Sequence, residues 1–290
     1  MRPEPKKPLI TYPLFTTRLQ SIMRKPYQPA MHGARCAGLR VSRRRFVALA
    51  GGAIGSLAFA GSCDASDAPQ TDDSWIAARP RRNVSPSGTG ARSLGLGGSR
   101  DAIVQTPSNA ASRPLPLLVL LHGAGGSGAG ILRRLGAAAG EAGVAVLAPD
   151  SREATWDAIR GDFGPDVVFL NRALERVFET VPADAGRVAI GGFSDGATYA
   201  LSLGLVNGDL FRRVLAFSPG FVISGRAQGR PRIFISHGKE DRILPIERSS
   251  RMIVPALRQR GYAVRFNEFD GGHEVPADIA RDGMQWVAAG

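Results

Sequence analysis

Short apolar runs alternate along the chain with segments in which apolar residues recur every three to four positions. The apolar runs predict strands at residues 102–105, 117–121, 144–148, 187–191, 213–217, 232–236 and 263–268. The periodic segments predict helices at residues 130–142, 166–181, 197–205, 247–261 and 276–288. Strands that alternate with helices need crossover connections, which favour a parallel sheet covered on both faces. The pattern therefore predicts one α/β domain over residues 92–290, with a mostly parallel central sheet and no large cap domain.

The first 63 residues differ in composition from the rest of the chain. They contain 11 of the 37 Lys and Arg residues and one acid, Glu4, so they carry most of the net charge of +12. The stretch SRRRFV at residues 42–47 matches a twin-arginine export signal, and residues 46–60 form an uncharged, mostly apolar stretch. Fifteen residues are too few for a stable membrane-spanning helix. We therefore expect residues 1–63 to be a leader that is recognised by the twin-arginine export machinery.

The leader offers two processing sites. Residues 58–60, Ala-Phe-Ala, are typical of signal-peptide cleavage after Ala60. Residues 60–63, Ala-Gly-Ser-Cys, instead resemble a lipoprotein box that would lipidate Cys63. Cleavage predicts a periplasmic or secreted protein, whereas lipidation predicts a membrane-anchored lipoprotein, the one case in which we expect contact with a membrane. Because the arginine motif lies far from the start of the chain, three methionines are candidate start sites: Met1, Met23 and Met31.

Residues 64–290 carry a net charge of only +2, which argues against a nucleic-acid partner. Residues 64–91 are rich in Pro, Ser, Gly and charge and have no periodicity, which predicts a flexible linker. Both cysteines of the chain, Cys36 and Cys63, lie in the leader. The domain over residues 92–290 is therefore predicted to contain no disulfide and no cysteine-based metal site.

The glycine-rich stretch that follows the second predicted strand has two interpretations. Three glycines fit the G-x-G-x-x-G pattern of a dinucleotide-binding loop: Gly123, Gly125 and Gly128. Asp150 follows 22 residues later at the end of another strand, where such a loop requires an acid. Alternatively, residues 122–124 form a loop whose backbone N–H groups hold an oxyanion in a serine hydrolase. The choice depends on which partner residues the rest of the chain supplies.

A second glycine turn, GGFSDG at residues 191–196, contains the pattern G-x-S-x-G with Ser194 at its centre. It lies where a predicted strand ends and a predicted helix begins. A serine on such a sharp turn exposes its hydroxyl oxygen, and the small flanking residues let the strand and the helix approach closely. Ser194 is therefore a candidate nucleophile.

A serine hydroxyl needs a base within hydrogen-bond reach, and the base needs an acid. We choose His273 over His237 as the base, because His273 lies in the loop between the last strand and the last helix. We choose Asp241 as the acid, because it follows a strand and lies between the serine and the histidine in the chain. Glu240 and Asp270 are the alternatives.

Four stretches in this order, LLHGAGGSG, GGFSDGA, ISHGKEDRILP and DGGHEVP, resemble the phospholipase/carboxylesterase branch of the α/β-hydrolases. That branch includes acyl-protein thioesterase-like and small polyester-depolymerase-like esterases. The resemblance covers about residues 92–290. It implies Ser194 as the nucleophile, Asp241 and His273 as its partners, and an oxyanion hole made by the backbone N–H groups of Ala124 and Asp195. Under this interpretation the glycine loop is part of an oxyanion hole and not of a dinucleotide site.

The implied reaction is hydrolysis of a small-molecule or lipid-like carboxylic ester through an acyl-enzyme, with no metal or organic cofactor. Five residues are candidates for the substrate pocket: His122, Gly123, Trp156, Phe193 and Leu244. Trp156 and Leu244 fit a core position equally well. The alternatives are a thioesterase, a polyester depolymerase or a peptidase with the same triad, a dinucleotide-binding protein, and a catalytically silent binding protein of the same fold.

Overall fold

Eight strands form one sheet in the part of the chain that the structure describes. The computed structural model describes residues 73–85, 88–108 and 114–289. The strands are β1 (Gly90–Ser93), β2 (Ala102–Thr106), β3 (Leu115–Leu121), β4 (Ala145–Pro149), β5 (Ala183–Phe193), β6 (Arg213–Phe217), β7 (Arg232–Gly238) and β8 (Val264–Phe269). Their order across the sheet is β1-β2-β4-β3-β5-β6-β7-β8. The β1–β2 and β2–β4 pairs are antiparallel and the other pairs are parallel, which confirms the predicted sheet.

Helices cover both faces of this sheet. Within the described ranges they are α1 (Gly128–Glu141), α2 (Asp157–Arg160), α3 (Pro165–Thr180), α4 (Asp195–Val206), α5 (Ser250–Gln259) and α6 (Ala277–Ala288), with a 3-10 turn at Ile246–Arg248. Apolar residues of α1 and α6 pack on one face, and those of α3, α4 and α5 pack on the other. The two layers enclose the sheet as the alternating sequence pattern predicts.

The central strand β3 shows why these strands carry no polar alternation. All seven of its residues are buried. Leu117, Val119 and Leu121 face the core on the α4 side, whereas Leu118 and Leu120 face the core on the α1 side. Successive side chains point to opposite faces of a strand, so a strand covered on both faces must be apolar throughout. Because β3 to β8 are parallel, the loops that follow them lie at the same edge of the sheet, where ligands bind in such folds.

Some element boundaries differ from the sequence-based prediction. The helix predicted at 247–261 begins at residue 250, because Ser249 has φ −127° and ψ −102° and separates the 3-10 turn from α5. Strand β5 begins at Ala183, four residues earlier than predicted. Strand β1 and the four-residue helix α2 were not predicted, because elements of four residues are too short to display a period.

Part of the segment before β1, which the sequence predicts to belong to a flexible linker over residues 64–91, packs against the domain. Ile76 is fully buried. Its backbone N–H donates to Asn207 Oδ1 at 2.9 Å, and Asn207 Nδ2 donates to the carbonyl of Ser74 at 2.8 Å. Asn171 Oδ1 accepts the backbone N–H groups of Ala77 and Ala78. Two asparagine side chains thus satisfy the backbone of an extended segment that has no strand partner of its own.

The predicted leader lies outside the described residues. This applies to the twin-arginine motif, to the candidate start methionines, and to the cleavage and lipidation sites at Ala60 and Cys63. In the ranges that are described, no helix has both the length and the apolar character needed to cross a membrane.

Candidate active site

Ser194 occupies a sharp turn between β5 and α4. Its φ of 58° and ψ of −121° lie in a region that residues other than glycine rarely adopt. The turn is held by the Ser194 N–H, which donates to the carbonyl of Phe217 at 3.0 Å. The Ser194 carbonyl accepts the N–H of Thr198, also at 3.0 Å. Backbone strain of this kind persists only where the surrounding structure enforces it, and it clusters at functional sites.

Three side chains from three loops form a hydrogen-bonded line at this edge of the sheet. His273 Nε2 lies 2.8 Å from Ser194 Oγ, and His273 Nδ1 lies 2.6 Å from Asp241 Oδ2. Asp241 Oδ1 accepts the N–H groups of Ile243 at 2.9 Å and Leu244 at 2.8 Å. Because a carboxylate only accepts hydrogen bonds, the proton of the neutral imidazole lies on Nδ1. Nε2 is then available to accept the Ser194 hydroxyl proton.

His237, the alternative base, is buried on the other side of Asp241. Its Nε2 lies 3.1 Å from Asp241 Oδ2 and 2.8 Å from the carbonyl of Leu244, and since both are acceptors this nitrogen donates. Its Nδ1 lies 2.7 Å from Ser250 Oγ. Burial alone would raise the pKa of Asp241, but hydrogen bonds from His237 and His273 hold that pKa well below its ordinary value. The carboxylate is therefore ionised across the neutral range. Sequence reasoning missed this role of His237, for which the only signal was its place four residues before Asp241.

The two alternative acids lie elsewhere. The Asp270 side chain is 86% exposed and pairs with Lys239 at 2.8 Å. Glu240 is exposed, and its backbone N–H donates to the carbonyl of Gly271. Asp241 is therefore the acid that the structure brings to His273.

Two backbone N–H groups in the turns around Ser194 are candidates for an oxyanion hole. One belongs to Asp195, the first residue of α4, and the first N–H groups of a helix have no acceptor within the helix. The other belongs to Ala124, whose N–H donates to no backbone acceptor in the described part of the chain. Gly123 allows this loop to approach, since a Cβ on it would lie 3.3 Å from the Cβ of Ser194. Donors at such positions can stabilise negative charge that develops beside the serine oxygen.

Comparison with known proteins finds a similar family for part of the chain. Residues 172–287, which include Ser194, Asp241 and His273, match the family described as Phospholipase/Carboxylesterase. The domain has the α/β-hydrolase fold, and its C-terminal part is similar to the phospholipase/carboxylesterase family. No curated protein sequence matches the chain.

Solved structures agree with this assignment at the level of the fold. The S-formylglutathione hydrolase FrmB of Staphylococcus aureus is 17% identical and has a TM-score of 0.56, over 71% of this chain and 100% of that chain. The carboxylesterase of Bacillus cereus is 20% identical with a TM-score of 0.52, over 67% of this chain and 96% of that chain. An acetyl xylan esterase from Aspergillus awamori is 16% identical with a TM-score of 0.52, over 69% and 100%. These similarities confirm the predicted α/β-hydrolase fold.

Two residues predicted for the substrate pocket, His122 and Trp156, are buried. His122 Nδ1 lies 2.8 Å from the carbonyl of Gly123, and its Nε2 accepts the N–H of Ser151 at 3.0 Å. Burial lowers the pKa of His122, so the ring stays neutral. Trp156 is fully buried, and its ring stacks on Tyr199 with a centroid distance of 5.3 Å. Both side chains form hydrogen bonds with the backbone of loops at the site, and their place in a substrate pocket stays a prediction.

The other two side chains predicted for the pocket lie close to the hydrogen-bonded line. Phe193 is half-buried and packs its ring against the imidazole of His273, with a centroid distance of 4.7 Å. Leu244 is buried, and a Cβ on Gly220 would lie 3.3 Å from its Cδ2. Phe193 thus restrains the orientation of His273, while the backbone of Leu244 contacts Asp241 and His237.

The residues that suggested a dinucleotide-binding loop make structural contacts in this domain. Asp150 Oδ1 accepts the N–H of Gly128 at 2.7 Å, so this carboxylate stabilises the start of α1. Ser127 Oγ caps the same helix by accepting the N–H of Gly130 at 3.1 Å. A Cβ on Gly128 would overlap the carbonyl of Ala148, so this glycine is needed for packing. As for metals, the described residues contain no group of three or more His, Cys, Asp or Glu arranged to hold an ion.

Glycines on either side of Ser194 let β5, α4 and β3 approach closely. A Cβ on Gly192 would lie 2.5 Å from the carbonyl oxygen of Gly196. A Cβ on Gly196 would overlap the carbonyl of Leu121 and lie 2.5 Å from that of His122. These neighbours are backbone atoms, which no rotamer change can move away. The G-x-S-x-G pattern is therefore a packing requirement.

Replacement of Gly196 by alanine is expected to lower the free energy of unfolding by about 3 kcal/mol or more, since β3 or α4 must shift. Urea unfolding followed by circular dichroism would measure this. Gly140→Ala is the matched control, because a Cβ there meets only Gln105 Nε2 at 3.9 Å and alanine favours a helix. Equal stability of the Gly196→Ala variant and the unmodified protein would contradict this explanation of the motif.

Proposed function

We propose that this protein is a serine carboxylesterase that cleaves carboxylic esters through an acyl-enzyme. The family match supports a hydrolase that acts on esters. The observation that carries the finer proposal is the hydrogen-bonded line from Asp241 through His273 to Ser194, with distances of 2.6 and 2.8 Å. The backbone N–H of Asp195, which follows Ser194, and that of Ala124, which follows Gly123, are the proposed oxyanion hole.

In the first half of the proposed reaction, Ser194 Oγ attacks the carbonyl carbon of the ester while His273 Nε2 takes its proton. The carbonyl oxygen becomes an oxyanion, which the N–H groups of Ala124 and Asp195 stabilise. The intermediate then expels the alcohol, which receives the proton from His273. Ser194 is left as an acyl ester of the substrate acid.

In the second half, water attacks the acyl-enzyme and His273 again acts as the base. A second oxyanion forms in the same position, and its collapse returns the proton to Ser194 Oγ and releases the acid. Asp241 keeps the His273 proton on Nδ1 and stabilises the imidazolium that forms in each half. The lowered pKa of Asp241 supports this role, because an ionised carboxylate stabilises the cation.

The substrate class that we propose is a small-molecule or lipid-like ester. Rates on an ester, a thioester and an amide with the same acyl group, and on a polyester film, would separate an esterase from a thioesterase, a peptidase and a depolymerase. We also propose export through the twin-arginine machinery, which the motif at residues 42–47 supports. Anchoring to a membrane would depend on lipidation of Cys63.

Exposure to a fluorophosphonate, followed by intact-mass measurement, tests the proposed nucleophile. The unmodified protein is expected to gain one adduct, because only an activated serine reacts quickly with this reagent. The Ser194→Ala variant and the heat-unfolded protein are the controls, and neither is expected to gain mass. A folded protein that gains no adduct, or a Ser194→Ala variant that is labelled as well as the unmodified protein, would overturn the proposal.

A further inference from the structure

Residues 151–156 lie between β4 and α2, and we name them the bridging segment. One buried carboxylate holds both ends of this segment. Asp166 Oδ1 accepts the N–H of Arg152 at 2.6 Å, and Asp166 Oδ2 accepts the N–H of Asp157 at 2.7 Å. The Asp157 carboxylate in turn accepts the N–H of Asp166 at 2.7 Å. The two aspartates therefore clamp each other's backbone and fix the segment between them.

On one side the bridging segment contacts the loop that carries Ala124. Trp156 Nε1 donates to the carbonyl of His122 at 2.8 Å. The carbonyl of Ala154 accepts the N–H of Gly125 at 2.7 Å. These two hydrogen bonds hold the backbone before and after the N–H of Ala124.

On its other side the bridging segment contacts the start of α4. Thr155 Oγ1 donates to Asp195 Oδ2 at 2.7 Å. The ring of Trp156 stacks on Tyr199, one turn further along α4, and the Tyr199 hydroxyl donates to Asp157 at 2.9 Å. The segment is thus hydrogen-bonded to Asp195, whose backbone N–H is the second proposed oxyanion donor.

The buried charges are consistent with a clamp. Burial raises the pKa of Asp166 to about 6, against the hydrogen bonds from two backbone N–H groups, and the nearby Asp157 carboxylate adds to the increase. Burial likewise raises the pKa of Asp195, which the hydrogen bond from Thr155 opposes. Burying carboxylates is costly unless their hydrogen bonds are satisfied, and here the partners are Arg152 and Thr155 of the bridging segment and Asp157, which follows it.

We infer that the bridging segment sets the separation of the N–H groups of Ala124 and Asp195, and that Thr155 and Trp156 are positioning residues for the oxyanion. This inference rests on the proposed function. The two N–H groups belong to different elements, and both must lie about 2.7–3.1 Å from one developing oxyanion. A single segment bonded to both elements can maintain that separation.

A double-variant cycle tests the inference. Thr155→Val and Trp156→Phe each remove one hydrogen bond while keeping most of the shape of the side chain. Each is expected to lower kcat about tenfold and to leave KM within about twofold, since the oxyanion exists only in the transition state. The kcat of the double variant is expected to be little lower than that of either single variant. Once one hydrogen bond is broken, the segment no longer fixes the distance between the N–H groups of Ala124 and Asp195, so breaking the second has little further effect. Two independent effects would multiply to a loss of about a hundredfold.

Thr155→Ser, which keeps the hydroxyl, is expected to retain the kcat of the unmodified protein. Arg160→Gln is the matched control, because it breaks an exposed ion pair with Glu153 of the bridging segment and is expected to change neither constant. Unchanged kcat in Thr155→Val, equal losses in Thr155→Val and Thr155→Ser, or multiplicative losses in the double variant would overturn the inference. The Thr155 pair decides the matter even if Trp156→Phe does not fold. The proposed function fails separately, if the unmodified protein shows no hydrolysis that depends on Ser194.

Discussion

Replacement of His273 by alanine is expected to lower kcat toward an ester by about 10⁵-fold to 10⁶-fold. The variant loses the imidazole whose Nε2 lies 2.8 Å from Ser194 Oγ, so the hydroxyl has no base to take its proton. KM is expected to change far less, because substrate binding needs no proton transfer. Initial rates with an aryl ester near pH 8 would measure both constants.

Two controls accompany the His273→Ala variant. Its thermal unfolding should stay close to that of the unmodified protein, because the imidazole is partly exposed and Asp241 keeps its hydrogen bonds with His237 and two backbone N–H groups. Its reaction with a fluorophosphonate should slow in parallel with kcat, because both reactions need the same activated hydroxyl. A variant that keeps a tenth of the activity would show that another group is the base.

Replacement of Asp241 by asparagine is expected to lower kcat about 10⁴-fold. An asparagine amide can donate to His273 Nδ1, which moves the imidazole proton to Nε2 and blocks acceptance of the proton from Ser194. The variant also loses the charge that stabilises the imidazolium. Initial rates from pH 6 to pH 9 would measure the loss.

Asp270→Asn is the matched control for Asp241→Asn, because the exposed Asp270 pairs only with Lys239 among the ion pairs of the described residues. Its kcat is expected to stay within about twofold of that of the unmodified protein. Comparable losses in both variants would contradict the assignment of Asp241. A loss in Asp270→Asn alone would transfer the role to that residue.

The fold class was predictable because a strand that is buried on both faces is apolar at every position, which is visible in the sequence. In β3 every residue is apolar, and the register of β3 on β5 brings Leu121 beside Gly192, so both glycine turns leave the sheet at the same edge. The packing of Ile76 left no comparable record. The packing of Ile76 depends on hydrogen bonds with the side-chain amides of Asn171 and Asn207, which lie far away in the chain. A single sequence does not indicate which backbone groups these amides bind.

The sequence predicts the candidate catalytic residues better than the residues that hold them in place. Ser194, Asp241 and His273 were chosen from motif and chain order, and the structure brings their side chains into contact, while their catalytic roles stay predictions. Trp156 fitted a pocket wall and a core position equally well from sequence. Its burial and its hydrogen bond to His122 follow from tertiary contacts that no local pattern encodes. The donor role of His237 toward Asp241 was missed for the same reason.

The asparagine contacts of the segment before β1 also constrain the order in which the domain assembles. Ile76 and its partner Asn207 are 131 residues apart in the chain. During synthesis the segment therefore leaves the ribosome long before the end of α4, to which it must bind. Because such distant contacts are slow to close, the earliest described residues of the chain are expected to be among the last to dock. On a ribosome stalled before residue 207, the segment around Ile76 is therefore expected to be still accessible to proteases.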